Sequence, residues 1–432
     1  MKKIFIYIIA CSFLIAGCKK NVLDITPDGR ITLDDVFKDE KNTESYLNTI
    51  YGGVPSYFWK YGFFDFLASY SDECYAYGGA TIAWAGGSLT PGNNPLTTRQ
   101  ERGQNSDHYP VFWTGIKDAN VFLAHIDGAP ISSTTNKSRF KAEAKLLRAF
   151  YYWELIKQFG PMPYVSKPFD NAFDFTSLAR PTFQTIVDSI VKDCNEAISE
   201  PNLPIRITVE AERGRFSKAV AYAVKSEALL YNASPLWNTG NDVSKWQAAA
   251  TASKDALSQL TSGGTYTLFP DYGEYFIGKT DINNSPRDKE TILEIPEDPD
   301  GVFSIINSIP SKPGMFKVGA CPTQEMIDAY GMQATGEQAI LGYEDSDHLI
   351  PIINTASGYD ENNPYKGRDP RFYATVWYNG AQYDNIEGRI HTMEIFSGGS
   401  DQLVTTPYGW NNTRTGYYLR KFIDPRLQSG QG

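Results

Sequence analysis

Apolar residues in the stretch 138–160 recur at helical spacing. Phe140, Ala144, Leu147, Tyr151 and Leu155 follow one another at steps of three and four and therefore stack on one face. A second row, Leu146, Phe150 and Trp153, lies beside the first, which predicts a helix sandwiched between neighbours rather than packed on one side. Ser138 is expected to cap its start. Gly160-Pro161 is expected to stop it, because proline cannot continue the ladder and disfavours helix at the residue before it. At 1.5 Å per residue such a helix is about 30 Å long, a full domain width, so the other elements should dock around it.

The same period predicts the remainder of a helical scaffold. Thr32-Leu33-Asp34-Asp35 reads as a capping box opening a helix through Tyr51, with Gly52-Gly53 as its stop. A helix over 109–126 forms a hairpin with the long one. The next, 182–199, opens at Arg180-Pro181-Thr182 and carries Phe183, Ile186, Ile190, Cys194 and Ile198 on one side. Its partner, 216–233, places the small residues Ala219, Ala223 and Ser226 where a neighbouring backbone can come close, and Ser234-Pro235 ends it. Asp242 caps a further helix over 243–260, with Trp246 and Ala249 on one face and Gly263-Gly264 beyond its end. Each helical pair exposes an apolar face that only the next can cover, which stacks the pairs. The expected fold is mainly α: tetratricopeptide-like helical hairpins in a superhelical scaffold with loop-rich insertions.

Two regions depart from the period. Residues 55–106 are rich in Gly, Tyr and Trp (Tyr57, Trp59, Tyr61, Tyr75, Tyr77, Trp84) and in turn signals such as Gly86-Gly87 and Pro91-Gly92-Asn93-Asn94-Pro95. A long aromatic-rich loop segment inside a compact domain points to function rather than to disorder. From Thr265 onward Pro, Gly, Asn and Asp punctuate short β-like runs such as 291–295 and 372–378, with one short helix at 323–330. The chain thus divides into a helical scaffold over 18–262, carrying the insertion at 55–106, and an irregular ligand-binding region over 263–432.

Composition sharpens this picture. With 41% hydrophobic and 14% aromatic residues among 432, the chain can bury a large core. Its net charge of −10 argues against nucleic acid, which needs a basic field. His108, His125, His348 and His391 show no metal-ligand spacing, and neither a metal nor a cofactor is expected. At the N-terminus, Met1-Lys2-Lys3, an apolar run over 4–15 and Ile15-Ala16-Gly17-Cys18 match the lipobox of bacterial lipoproteins. Residues 1–17 are therefore expected to be a signal peptide and Cys18 to carry the lipid. The rest of the chain holds no apolar run of ~18 residues, so it should be anchored to the membrane rather than inserted in it. Cys74, Cys194 and Cys321 are too few and scattered for a disulfide framework and read as small buried residues.

Six ordered segments carry a resemblance over almost the whole chain. The lipobox cysteine, KAEAKLLRAFYYWELIKQFGPMPYV at 141–165, GRFSKAVAYAVKSEALLYNASPLWN at 214–238, PTQEMIDAYGM at 322–332, GRDPRFYATVWYNG at 367–380 and GYYLRKFIDP at 416–425 together resemble the RagB/SusD family of outer-membrane nutrient-binding lipoproteins. The resemblance implies a tetratricopeptide-like scaffold presenting a loop-built glycan site at the cell surface, and a SusC-type TonB-dependent barrel transporter as partner. Family members continue past the last of these segments into further helices, so this sequence is expected to be a C-terminally truncated form.

Glycan sites need flat aromatic faces for the C–H groups of sugar rings, with amides, carboxylates and guanidinium groups at the rim to bond hydroxyls. Trp84, in a Gly-flanked loop with no helical period, is the leading stacking residue. Tyr77 and Trp59 lie in the same region with the polar residues Asn93, Asn94 and Arg99. Trp410, in Thr406-Pro407-Tyr408-Gly409-Trp410-Asn411, is a further loop aromatic, and Asn283, Asn284 and Arg287 are additional rim candidates. Trp153, Trp237 and Trp246 are expected in the core and Trp377 in a structural role. Glu294, Glu297, Asp298 and Asp300 lack the turn glycine and distal glutamate of a calcium loop and read as a solvated acidic turn. No GxSxG or P-loop occurs. The expected function is non-catalytic glycan capture for a transporter; a peptide-binding uptake lipoprotein and an all-α glycoside hydrolase are the alternatives.

Overall fold

The computed structural model describes residues 32–55, 67–76, 86–88, 90, 98–101, 104–170, 172–277, 288–295, 307, 309, 318–384, 388–403 and 412–423. The scaffold begins with α1 (Leu33–Val36) and α2 (Glu40–Tyr51). The capping box at Thr32 forms, its hydroxyl accepting from Asp35 N while the Asp35 carboxylate accepts from Thr32 N. The single helix expected through Tyr51 is nevertheless two. Asp39 caps a fresh start by accepting from Asn42 N at 2.8 Å, and the break turns Phe37 inward onto Tyr46, Phe122 and His125.

The centre is α3 (His108–His125) against α4 (Thr134–Phe159). The long helix starts earlier than its apolar period suggests, because Ser133 rather than Ser138 caps it, accepting from Asn136 N at 3.1 Å. Ser138 instead lies within the helix and donates to Glu200 at 2.9 Å. The stop is at Gly160, whose φ of 71° is a conformation that glycine adopts without a Cβ penalty. From Phe140 to Ile156 most of α4 is buried, as the two apolar rows require, and it packs against α3, α5 (Phe183–Ser199), α2 and α6 (Lys218–Ala233). Tyr151 is its pivot: fully buried, it donates its hydroxyl to the Ile50 carbonyl and lies so close to α3 that a Cβ on Gly115 would sit 2.3 Å from the ring.

Charges buried on α4 are matched, as burial demands. Glu143 accepts from Arg139 at 2.9 Å, from Arg215 at 2.8 Å and from the Tyr51 hydroxyl at 2.8 Å. Arg148 grips both oxygens of Asp193 at 2.8 Å, and Trp153 donates to Glu227 at 2.9 Å. Helix α5, capped by Thr182, packs on α6, and α6 packs on α7 (Val243–Thr261), capped by Asp242. The result is the expected run of helices, each packed on the next, in a mainly α, tetratricopeptide-like fold. Among the described residues no helix is long and apolar enough to cross a membrane.

Of the tryptophans expected in the core, Trp153 is 1% exposed and Trp237 is partly buried, stacked on Phe183 at 4.2 Å. Trp246 is 39% exposed and does not belong there: α7 buries the stripe Ala249, Ala252 and Ala256, and Trp246 lies to its side.

The second half has its own small cores, one around Trp377, Tyr383, Met393 and Tyr418 and another around Ile327, Phe372 and Tyr417. Among the described residues it contains short antiparallel pairs and three short helices, α8 (Tyr272–Phe276), α9 (Gln324–Asp328) and α10 (Pro370–Thr375). The β-like reading of 372–378 is corrected. Asp369 caps and Pro370 opens α10, and only Val376–Trp377 is extended, pairing with Tyr418–Leu419. Residues 291–295 likewise form no strand; Asp288 caps this turn instead, accepting from Glu290 N and Thr291 N. Arg368, fully buried, donates to the carbonyls of Ile327, Tyr330 and Pro364 and so fastens the end of α9 to the segment before α10.

Candidate functional site

Cys18, Trp59, Tyr77, Trp84, Asn93, Asn94, Trp410, Asn283, Asn284 and Arg287 lie outside the described residues, as do Glu297, Asp298 and Asp300. Arg99 is on a strand, β2 (Thr98–Glu101), opposite Ser106 of β3 (Gln104–Asp107), in a hairpin that leads directly into α3. What the structure defines is the framework from which the loops spring.

The aromatic insertion does not stay with the scaffold helices. Its segment β1 (Cys74–Ala76) pairs antiparallel with β4 (Ala320–Pro322) of the second half, Tyr75 facing Cys321. Thr323 extends the join, its N–H donating to Glu73 O at 3.1 Å and its hydroxyl to Asp72 O, a residue 251 positions away in sequence. On the same patch Arg414 donates to the Tyr75 hydroxyl at 3.3 Å and its guanidinium lies 5.9 Å from the ring centre. Tyr75 is two residues before Tyr77 and Arg414 four after Trp410, so the roots of two expected aromatic loops touch.

Thr413 holds this root rigid. Its hydroxyl donates to Tyr417 O at 2.6 Å and accepts from the N–H groups of Thr415, Gly416 and Tyr417, while its own N–H donates to the Tyr418 hydroxyl. Tyr418 in turn donates to Asp401 O at 2.9 Å. The thiol of Cys321 beneath is buried, and burial pushes its pKa up, as it does for Cys194. Neither is poised as a nucleophile; Cys74 is buried as well. The long-range pairing has no local sequence signal, and in the sequence Tyr75 is legible only as one aromatic among several.

A second feature opens nearby in the chain. A cleft of about 540 Å³ lies between α8 and α10, lined among others by Asp271, Tyr272, Glu274, Tyr373, Arg420 and Ile423. Its volume falls in the range of small-ligand pockets. Tyr272 is 38% exposed at its edge. Arg420 is held in place by Nη1 donating to Tyr373 O at 2.7 Å and by its backbone N–H donating to Thr375 O at 2.8 Å. Desolvation pulls its pKa below the usual arginine value. Beside it, Lys421 Nζ sits 3.9 Å above the centre of the Phe276 ring. A cavity by Arg206 and Tyr266 has about 30 Å³, room for water but not for a sugar ring. Among the described residues no group of three or more His, Cys, Asp or Glu side chains is arranged to hold a metal ion. Aromatic edges with guanidinium, carboxylate and carbonyl groups at close range suit the binding of a polyhydroxylated ligand.

Comparison with known proteins bears on the family and the fold. Residues 88–230 match the family described as starch-binding associating with outer membrane, and residues 288–432 match the SusD family. A SusD-like protein of Formosa agariphila is 25% identical over 179 residues, which cover 41% of this chain and 30% of that protein. Among solved structures, a SusD-like protein from Bacteroides fragilis superposes with a TM-score of 0.68 at 22% identity, covering 91% of this chain and 70% of that one. Surface glycan-binding protein A from Bacteroides thetaiotaomicron, in complex with laminarihexaose, gives a TM-score of 0.56 at 18% identity, covering 91% of this chain and 74% of the other.

Proposed function

Because the chain belongs to the SusD/RagB family, we propose that it is a lipid-anchored protein of the outer-membrane surface that captures oligosaccharides and hands them to a SusC-type TonB-dependent transporter, without chemistry on them. The observation that carries the reading is the join, over β1 and β4, of Tyr75 to Arg414, which lie two residues before Tyr77 and four after Trp410 in the sequence. Segments held on a packed framework are a common setting for binding residues. A solved relative named as a glycan-binding protein, with a laminari-oligosaccharide bound, supports the ligand class. On this reading Trp84, Tyr77 and Trp59 supply stacking faces, Asn93, Asn94 and Arg99 bond hydroxyls, and Trp410 closes the arc.

Calorimetry against a panel of neutral and acidic oligosaccharides tests the proposal, with Trp84→Ala measured alone and with Tyr77→Ala. Loss of one stacking face should weaken binding about threefold to tenfold beyond the lost burial. Unchanged affinity in both variants places the site elsewhere, with the Trp410 loop next to be tested. Binding of peptides but of no glycan overturns the ligand class, and release of reducing sugar ends by the purified protein overturns the non-catalytic role.

A further inference from the structure

The cleft between α8 and α10 contains a guanidinium that forms no ion pair among the described residues, although Asp271 and Glu274 also line the cleft. Three arginines of the scaffold are matched by carboxylates: Arg139 by Glu143 and Glu212, Arg148 by Asp193, Arg215 by Glu143 and Glu44. Arg368 lacks one but spends its donors on three carbonyls in a closed interior. Arg420 differs from all of these. Among the described residues it forms no ion pair, and its side chain makes one bond, to the Tyr373 carbonyl, although a guanidinium offers five N–H donors. Arg206 also lacks a carboxylate, but the cavity beside it is only about 30 Å³. Among the described residues Arg420 combines spare donors with a cleft of about 540 Å³.

The rest of the lining says what fits. Tyr272 offers a ring at the edge, the surface on which a sugar packs its C–H groups. Asp271, which accepts from Glu274 N at 2.9 Å, and the Glu274 carboxylate beside it offer acceptors for sugar hydroxyls, which leaves Arg420 as the cation of the lining. An arginine pairs with a carboxylate or sulfate through two parallel hydrogen bonds, a match that a neutral sugar cannot offer. Resting on the glycan-capture reading above, we propose that this cleft holds an acidic sugar, its ring against Tyr272 and its anionic group, a carboxylate or a sulfate ester, on Arg420.

The test uses the whole protein in calorimetry with oligogalacturonate, a sulfated oligosaccharide and neutral laminarihexaose. Binding of at least one acidic oligosaccharide is expected. In Arg420→Gln, which keeps a donor for the Tyr373 carbonyl, that binding should weaken about tenfold to a hundredfold while neutral binding stays within twofold. In Tyr272→Ala, whose fold is checked by circular dichroism because the ring packs on Phe276 at 4.8 Å, acidic binding should weaken about threefold to tenfold. Raising salt should weaken the acidic complex of the wild type and have little effect on that of Arg420→Gln. Binding of laminarihexaose without either acidic ligand overturns this inference and leaves glycan capture standing. Equal losses for acidic and neutral ligands in Arg420→Gln, or none in Tyr272→Ala, also overturn it. A wild type that binds none of the three overturns the glycan reading and this inference together.

Discussion

The most demanding test of the scaffold is Arg148→Met. Arg148 and Asp193 join α4 to α5 through two bonds of 2.8 Å, and the third guanidinium nitrogen donates to Asn120 on α3, also at 2.8 Å. Asp193 is 2% exposed and Arg148 6%, so both charges are taken out of water. The methionine fills most of the volume but removes the charge, leaving the Asp193 carboxylate buried with the Tyr164 hydroxyl at 2.8 Å as its remaining partner in this group. Such an orphaned charge costs about 3–5 kcal/mol. The pair itself contributes far less than that, because its attraction mostly offsets its desolvation. The double variant Arg148→Met/Asp193→Leu should therefore recover most of the loss. Arg148→Lys should recover little, since an ammonium cannot reproduce the two-pronged grip. Urea denaturation followed by circular dichroism, across these three variants, Asp193→Leu and the parent, measures the cycle. A single-variant loss below about 1 kcal/mol, or a double variant no more stable than Arg148→Met, refutes the argument that desolvation governs this site.

Other outcomes follow from the same packing. Gly115→Ala should destabilise by about 1–3 kcal/mol, because the new Cβ lies 2.3 Å from the Tyr151 ring and α3 must move off α4; thermal melts read this, and a neutral effect would show that the close approach is not needed. Leu147→Ala, at a fully buried position, should cost about 2–5 kcal/mol by leaving a cavity between helices, with the far-ultraviolet spectrum still helical. Cys18→Ala should shift the protein from the membrane fraction to the soluble one and abolish lipid labelling; unchanged fractionation, with no label in the wild type, refutes the anchor.

Much of the helical scaffold was legible because its residues answer to one rule repeated. The rows Phe140–Leu147–Leu155 and Leu146–Phe150–Trp153 predicted a helix covered on several sides, and α4 is buried from Phe140 to Ile156 for most of its length. The ends were less legible. The first turn of α4 is polar, so the period did not reveal that Ser133 caps it, and at Asp39 a side-chain cap broke an otherwise continuous helical pattern. At 370–375 aromatic and β-branched residues outweighed, in the reading, the Asp-Pro start that decides the helix.

The site was legible only by exclusion. Aromatics outside the helical period were free to serve a ligand, but freedom from one constraint does not say which partner they meet. That information lies in pairings such as Thr323 with Asp72, 251 residues apart, and Arg414 with Tyr75, 339 apart, where neither partner's neighbours carry a pattern pointing to the other. The same holds for Arg420, whose sequence context, Leu419-Arg420-Lys421-Phe422, looks like an ordinary strand edge. Only the packing of α8 beside α10 leaves its guanidinium facing a cleft with no carboxylate paired to it. Core residues thus reveal themselves by their spacing along the chain. Binding residues do so by what the fold leaves unsatisfied around them, and for that reason an unpaired half-buried arginine says more about the ligand than the tally of tryptophans does.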